Sequence, residues 1–261
     1  MESGKKRRLR RLFESDNRTV IVPMDHGVTI GPVKGLVNMQ NIVDKLLDGG
    51  VDAFVINRGI AKSVDTGNAG LFVHLSGITV HCPDPNNKVQ VCSVADAVRL
   101  GADAVSVHIN MGAKQEAHML STMGKVACEC DDFGMPLLAM MYPRGPNIKD
   151  PHNVDLVAHA ARLGAELGAD IVKTNYTGDA ETFKQVVDSC PVPVIIAGGP
   201  KAATNMDVLQ MVKDSVTAGG SGLSIGRNVF QHEDPTKMVK ALSAIVHHGM
   251  SVSDALKILG E

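Results

Sequence analysis

The sequence has no tryptophan, few aromatic residues and almost no excess of charge. Aromatic side chains make up 3% of its 261 residues, and the formal net charge is −2. A chain without a basic excess lacks the electrostatic surface that binds nucleic acid. No apolar run approaches the roughly 20 residues of a membrane span. The basic N-terminus lacks the apolar stretch that a signal peptide would have after it, so we expect no signal peptide. We therefore expect neither nucleic acid nor a membrane as a partner.

Cysteine is also sparse. The five cysteines are odd in number and scattered, which argues against a disulfide framework. This pattern predicts reduced thiols and a cytoplasmic location. Cys128 and Cys130 form a C-x-C pair within a helical pattern, which directs them to different faces and does not suit a metal site.

Glycine is abundant, and it marks an internal repeat. Four segments combine a helix end, a glycine, a tight turn and a short apolar strand, at residues 49–55, 101–107, 168–173 and 219–225. A recurring helix-to-strand joint is typical of a parallel β/α array. The length is close to the roughly 250 residues of a (β/α)8 barrel. The sequence thus predicts an α/β fold, a TIM barrel, over residues 1–261 as a single domain.

The predicted elements alternate along the chain. Strands are predicted at residues 19–25, 52–57, 71–75, 103–109, 136–142, 170–175, 193–197 and 222–225. Helices are predicted at 36–47, 93–100, 114–133, 153–167, 179–189, 204–217, from about 235, and at 251–259. The turn-rich stretch 76–90 is predicted to be a loop over the barrel top. An open doubly wound sheet would need fewer strands and a G-x-G-x-x-G turn after the first strand, and neither is found.

A basic extension of about residues 1–18 precedes the first strand. It carries the run Lys5-Lys6-Arg7-Arg8-Leu9-Arg10-Arg11. Such a run also occurs in nucleic-acid-binding tails, but no other part of this chain offers a basic face. We therefore predict a solvated helix, with Leu9, Leu12 and Phe13 facing the floor of the barrel.

Lys173 is the most informative single residue, because it lies inside an apolar strand. The active site of such a barrel lies at the C-terminal ends of its strands. Burial of a charged amine is costly, so its pKa falls toward neutrality, and a neutral amine can form a Schiff base. A lysine that extends to the barrel mouth and binds an anion fits the same pattern. The residue pattern leaves both interpretations open.

Other polar residues follow neighbouring strands. Asp25, after a buried strand, can shuttle protons or form a structural ion pair with Lys173. His26 fits a ligand, a base or a hydrogen-bonded structural role, and Tyr142 fits either a proton donor or a packing residue. Gly198 and Gly199 follow the seventh strand, and Gly226 and Arg227 follow the eighth. Open backbone N–H groups and an arginine at these two strands are typical of a phosphate site.

Together these residues make the chain resemble the archaeal-type class I aldolases. The matching stretches are 20–28, 136–145, 158–174, 197–201 and 225–228, which run through nearly the whole chain in order. The resemblance implies a Schiff base on Lys173, with Asp25 as proton acceptor and Tyr142 as proton donor. It implies a substrate site made of Asp25, His26, Gly27, Val28, Thr29, Tyr142, Pro143, Arg144, Lys173, Gly198, Gly199, Gly226 and Arg227. No metal or cofactor is expected.

Within that family the chain looks most similar to a branch with a transaldolase-type reaction. That branch transfers a three-carbon unit from the phosphorylated keto-sugar 6-deoxy-5-ketofructose 1-phosphate to L-aspartate semialdehyde. Hydroxypyruvaldehyde phosphate leaves, and the product enters an alternative route to 3-dehydroquinate and the aromatic amino acids. The family also implies a homo-oligomer, commonly a decamer.

Other functions stay open. Class I fructose-1,6-bisphosphate aldolases carry the same signatures, and a related branch joins dihydroxyacetone phosphate to aspartate semialdehyde. A metal-dependent aldolase built on His26, His74, His81 and His108 has no H-x-H or H-x-x-H pair to support it. A non-catalytic sugar-phosphate-binding module would not need Lys173 beside Asp25.

Overall fold

Eight parallel strands close into a barrel, in which each strand pairs with its neighbours in chain order and the last pairs with the first. This computed structural model describes residues 3–261. Its barrel strands are β1 Thr19–Pro23, β2 Ala53–Asn57, β3 Gly70–His74, β4 Ala104–Met111, β5 Leu137–Pro143, β6 Ile171–Thr174, β7 Val194–Ala197 and β8 Gly222–Ser224. The predicted (β/α)8 fold is confirmed.

Helices surround the barrel and join its strands. They are α1 Ser3–Leu9, α2 His26–Ile30, α3 Met39–Gly49, α4 Arg58–Ala61, α5 Val94–Arg99, α6 Glu116–Phe133, α7 Val154–Glu166, α8 Ala180–Ser189, α9 Asn205–Thr217, α10 Arg227–Phe230, α11 Pro235–His248 and α12 Val252–Leu259. Within residues 3–261, no helix is long and apolar enough to cross a membrane.

The strands bury both of their faces, which explains their continuous apolar runs. In β1, Ile21 faces an inner cluster that also holds Phe72, Leu138 and Ile171. Its neighbour Val20 faces a larger cluster between the strands and the helices. Successive strand residues point to opposite faces, so a strand covered on both sides reads as apolar throughout.

The aspartates of the glycine repeat fasten the strands together at the floor of the barrel. The Asp103 carboxylate accepts a hydrogen bond from the Leu71 N–H at 3.0 Å, and Asp170 accepts one from the Leu137 N–H at 2.9 Å. Asp52 accepts the N–H of Val20 in the same way. Each aspartate therefore ties the start of its own strand to the preceding strand. The fourth copy of the repeat has Ser221 at this position.

Cations from the N-terminal segment pair with two of these aspartates. The Lys5 ammonium lies 3.1 Å from Asp170 and 2.6 Å from Asp131, and Arg11 Nε lies 3.1 Å from Asp103. Lys5 is 6% exposed, so the prediction of a solvated helix is wrong at this residue. Two carboxylates offset the cost of its burial.

The apolar residues of the same segment lie where they were predicted. Leu12 is fully buried in the inner cluster, and Leu9 and Phe13 pack against it. The helix itself ends at Leu9. Met1 and Glu2, the first residues of the predicted extension, lie outside the described residues.

Several boundaries differ from the prediction where local contacts decide them. The strand β1 ends at Pro23 rather than at residue 25, and the short helix α2 follows directly. The helix α3 begins at Met39 rather than at residue 36, because the Asn38 side chain accepts a hydrogen bond from the Asn41 N–H and caps it. The loop 76–90 contains a two-stranded hairpin, Ser76–Gly77 with Val89–Gln90. Helices of four or five residues leave no periodic pattern to recognise.

Candidate active site

A cavity of about 330 Å³ lies at the C-terminal ends of the barrel strands. Among the predicted substrate-binding residues, those that line it are Asp25, His26, Val28, Thr29, Tyr142, Arg144, Lys173, Gly198, Gly199, Gly226 and Arg227. Gly27 and Pro143 do not line the cavity. The barrel thus brings together residues that are up to about 200 positions apart in the sequence.

Lys173 lies in the middle of this cavity wall, on β6. Its side chain is buried, and burial lowers its pKa to about 8, against an opposing effect of the nearby Asp25 carboxylate. An amine with this pKa is partly neutral near pH 7, whereas an ordinary lysine is not. Lys173 therefore has the proton affinity that a carbonyl-attacking amine requires.

Asp25 lies beyond the end of β1, not on the strand as predicted. It precedes α2, and its carboxylate lies 3.7 Å from His26 Nδ1 and 3.6 Å from His74 Nε2. Burial acts to raise the pKa of Asp25, but the charges of His74, His26 and Lys173 outweigh it and lower that pKa. Asp25 is therefore an ionised carboxylate, suited to accept a proton.

His74 belongs to this group, although the sequence suggested it only as a metal ligand. Its Nδ1 lies 2.8 Å from the Ser106 hydroxyl, and both side chains are buried. Burial lowers the pKa of His74, and the Lys173 charge adds to this, against the attraction of Asp25. Its position at the end of β3 was the signal available in the sequence.

Tyr142 lies on the β5 side of Lys173 and keeps its proton. The ring meets His108 edge-on, with 5.0 Å between centroids, and the Arg144 guanidinium lies 5.5 Å above it. Burial raises the pKa of Tyr142 well above its ordinary value, against the opposing charge of Arg144. The phenol therefore remains a donor throughout the neutral range.

The loop 76–90 forms part of the cavity wall, and the buried Asn110 side chain fastens it there. His108 Nε2 lies 2.9 Å from Asn110 Oδ1, and Asn110 Nδ2 donates to the Asn86 carbonyl at 2.8 Å. This places Lys88, which is 8% exposed, in the wall of the cavity. Sequence reasoning missed Lys88, because a lysine in a turn-rich loop carries no pattern that marks it.

The turns after β7 and β8 are braced against each other on the opposite side of Lys173. Asn228 donates to the carbonyls of Gly198 and Pro200 at 3.0 and 3.1 Å, and Arg227 donates to the carbonyl of Gly199 at 2.9 Å. A Cβ at Gly226 would lie 2.7 Å from the His26 ring, so only glycine fits there. We refer to this group, with Ser224, as the glycine cradle.

Free hydrogen-bonding groups remain in the glycine cradle. Within residues 3–261, the buried Ser224 hydroxyl and the buried Arg227 Nε have no hydrogen-bond partner. Both residues line the cavity. Unpaired buried polar groups are costly, so a ligand with several acceptor oxygens would satisfy them.

Residues 19–232 match the model of the DeoC/LacD family aldolases. The chain belongs to this family. A 2-amino-4,5-dihydroxy-6-oxo-7-(phosphonooxy)heptanoate synthase of Streptomyces griseus is 44% identical over 245 residues, which cover 92% of this chain and 89% of that protein. A 2-amino-3,7-dideoxy-D-threo-hept-6-ulosonate synthase of Halobacterium salinarum is 43% identical over 261 residues, which cover 99% of this chain and 97% of that protein.

Among solved structures, one is an archaeal fructose-1,6-bisphosphate aldolase whose catalytic lysine is covalently bound to the carbinolamine intermediate of the substrate. It is 34% identical, has a TM-score of 0.87, and covers 93% of this chain and 99% of its own. The predicted resemblance is confirmed, and the chain is an enzyme of a Schiff-base aldolase family.

Proposed function

We propose that the enzyme transfers a three-carbon unit from 6-deoxy-5-ketofructose 1-phosphate to L-aspartate semialdehyde through a Schiff base on Lys173. The products are 2-amino-3,7-dideoxy-D-threo-hept-6-ulosonate and hydroxypyruvaldehyde phosphate. One observation carries the proposal: an amine of lowered pKa, an ionised carboxylate and a protonated phenol line one cavity.

Each of the three groups has a step that suits its protonation. Neutral Lys173 attacks the ketone carbon, and loss of water gives an iminium ion, which accepts electrons when the bond between its α and β carbons breaks. Asp25 accepts the hydroxyl proton during this cleavage, and the three-carbon unit stays on Lys173 as an enamine. The enamine then attacks the acceptor aldehyde, Tyr142 donates a proton to the aldehyde oxygen, and water releases the product.

The names of the two relatives support the acceptor. Both describe a seven-carbon 2-amino acid with a ketone at C6 and oxygen at C4 and C5. An aldol bond between C4 and C5 divides either product into aspartate semialdehyde, which supplies C1 to C4, and a three-carbon ketone. The two products differ only at C7, which carries a phosphate in one and is a methyl group in the other.

A second donor is favoured by the glycine cradle. Its unpaired Ser224 and Arg227 groups fit a phosphate on the three-carbon unit itself, as in dihydroxyacetone phosphate. The product would then carry the C7 phosphate named for the Streptomyces relative. Fructose-1,6-bisphosphate cleavage is less favoured, because the relatives of 43–44% identity are synthases of amino acids.

Product analysis separates these candidates. The enzyme is incubated with L-aspartate semialdehyde and one donor at a time, and the products are identified by mass. We expect the unphosphorylated seven-carbon amino acid from 6-deoxy-5-ketofructose 1-phosphate, whereas a C7-phosphorylated product from dihydroxyacetone phosphate would favour the second donor. Triose phosphates from fructose bisphosphate, with no amino acid product from any donor, would contradict both.

Borohydride trapping tests the Schiff base directly. Reduction with donor present should add mass to the peptide that contains Lys173 and abolish turnover, while a chelator should leave turnover unchanged. Lys184→Ala serves as the control, because Lys184 lies on α8 and pairs with Asp188 outside the cavity. An adduct on any other lysine would contradict the assignment.

A homo-oligomer stays a prediction from the family resemblance. Light scattering of the purified enzyme would determine the subunit number, and a monomer at working concentration would contradict it.

A further inference from the structure

Lys88 and Arg144 are two neighbouring cations without a counter-ion. Both line the cavity. The charge of Arg144 lowers the pKa of Lys88 and opposes the rise in the pKa of Tyr142. Within residues 3–261, no carboxylate forms an ion pair with either side chain. Lys88 is more than nine-tenths buried, and such a lysine is almost always paired. Two unpaired cations side by side make a site for an anion.

The two cations lie on the Tyr142 side of Lys173. Arg144 follows β5 and covers the Tyr142 ring, and Lys88 lies in the loop that Asn110 fastens to β4. The glycine cradle follows β7 and β8, on the other side of β6. The cavity therefore offers one anion site on each side of the reactive amine.

We propose that Lys88, together with Arg144, binds the carboxylate of the acceptor aldehyde. This inference rests on the proposed function, in which Tyr142 protonates the aldehyde oxygen of L-aspartate semialdehyde. With that oxygen at Tyr142, the rest of the short acceptor extends along the same wall. Lys88 supplies a buried ammonium and Arg144 a planar guanidinium, which together suit the two oxygens of a carboxylate.

The leaving aldehyde precedes the acceptor at the same place. Both aldehydes bond in turn to the same carbon of the three-carbon unit, so their anionic ends lie on the same side of Lys173. The phosphate of hydroxypyruvaldehyde phosphate thus occupies the site before the acceptor carboxylate does. This agrees with the place of Arg144 in the substrate site that the family resemblance implies.

The burial of Lys88 gives the site its selectivity. Burial lowers the pKa of Lys88, the Arg144 charge adds to this, and the Asp25 charge opposes it. A bound carboxylate offsets the unfavourable interaction between the two cations, whereas an uncharged aldehyde leaves the buried Lys88 unpaired. The enzyme should therefore discriminate strongly against acceptors without a carboxylate.

Steady-state kinetics with three acceptors test the inference. In a double-displacement reaction, kcat/KM for the acceptor depends only on its reaction with the enamine form of the enzyme, not on the donor step. L-Aspartate semialdehyde, succinate semialdehyde and butanal share a four-carbon chain, and only butanal lacks the carboxylate. Lys88→Gln should lower kcat/KM about 10- to 100-fold for both carboxylates and leave butanal within about twofold. Lys88→Arg should restore part of the loss.

The control is Lys149→Gln, since Lys149 is exposed in the segment after β5 and does not line the cavity. It should leave all three values unchanged. An equal loss with butanal, or no loss with the two carboxylates, would overturn the inference. If the wild-type enzyme gives no product from L-aspartate semialdehyde with any donor, the proposed function itself fails, and the role of Lys88 fails with it.

Discussion

At the scale of single residues, the cavity divides proton donation and acceptance between groups whose surroundings differ. Burial disfavours the charged form of each group, so it lowers the pKa of Lys173 to about 8 and raises that of Tyr142. Asp25 is partly buried, yet its interactions with His74, His26 and Lys173 outweigh the effect of burial and lower its pKa. Burial thus makes Lys173 suited to be a nucleophile and Tyr142 a proton donor, while nearby groups keep Asp25 a proton acceptor.

Tyr142→Phe removes a proton donor while keeping the ring. Because the variant retains Lys173, borohydride should still trap the adduct, but kcat should fall about 10²- to 10⁴-fold. The control is Tyr176→Phe, in the other tyrosine of the chain, whose hydroxyl reaches Asp214 at 3.4 Å and does not line the cavity. Turnover of Tyr142→Phe at the wild-type rate would show that Tyr142 is a packing residue and not the proton donor.

Asp25→Asn should change the pH dependence of Schiff-base formation. Adduct formation needs neutral Lys173, so its rate should rise with pH through about 8 in the wild-type enzyme. Asp25 raises the pKa of Lys173, so removal of its charge should move this profile to lower pH. The measurement is the initial rate of borohydride-trapped adduct at a series of pH values, with exposed Asp150→Asn as control. A shift to higher pH would contradict the charge interaction.

At the scale of elements, the glycine cradle depends on one buried side chain. Asn228, the second residue of α10, accepts the Ala202 N–H at 2.8 Å and donates to two carbonyls of the turn after β7. The four-residue helix α10 has too few residues to be stable alone. Its contacts with the neighbouring turn therefore fix both.

Asn228→Ala should loosen the cradle. Three hydrogen bonds would be lost, and each is worth about 0.5–1.5 kcal/mol. We expect a lower free energy of unfolding in urea and a higher KM for dihydroxyacetone phosphate, whose phosphate the cradle would hold. Asn205→Ala is the control, because Asn205 bonds the exposed Glu261 at the surface. An unchanged KM alongside reduced stability would show that the Asn228 hydrogen bonds stabilise the fold and do not shape the site.

At the scale of the whole molecule, ionic contacts close the floor of the barrel far from the cavity. Lys5, Arg11 and His247 pair with Asp170, Asp103 and Asp52, the three aspartates of the glycine repeat. His247 also pairs with Asp16, so it joins α11 to the N-terminal segment and to the start of β2. The first and last parts of the chain are thereby held against the strands.

Stability should depend on pH through His247. Burial lowers its pKa, but the hydrogen bonds that the ring donates to the Asp52 and Asp16 carboxylates outweigh this and raise the pKa above its ordinary 6.5. Because the folded-state pKa is raised, the stabilisation is fully present below about pH 6.5 and is lost as the pH rises through the raised value. Asp16 has a lowered pKa, so its share is lost only as the pH falls below the ordinary 3.8.

His247→Asn measures this contribution. The difference in unfolding free energy from wild type should be about 1.5–3 kcal/mol near pH 5.5 and should shrink as the pH rises above neutrality. Urea unfolding at several pH values gives the difference, and His248→Asn, at an exposed neighbour, is the control. A difference that grows with pH would show that His247 stabilises the fold in its neutral form.

The sequence by itself determined the architecture and singled out Lys173 as the candidate reactive lysine. The glycine repeats mark helix-to-strand joints, and strands buried on both faces show as apolar runs, so local patterns are enough. Lys173 stood out because a charged residue in such a run contradicts the pattern around it. The glycine turns after the last two strands could be found for the same reason: each needs a residue type that a local rule identifies.

Only the tertiary structure decided which distant residues meet. Lys88 and Ser106 carry no local signal, since a lysine in a polar loop or a serine in a strand is ordinary by itself. His74 ends a strand and Asn228 follows one, but those positions do not show which residues they contact. Their importance comes from burial and from partners 32 or more positions away for His74 and 26 or more for Asn228. The pairing of the basic N-terminus with the repeat aspartates was decided in the same way, because barrel closure brings the ends of the chain to the strands that they stabilise.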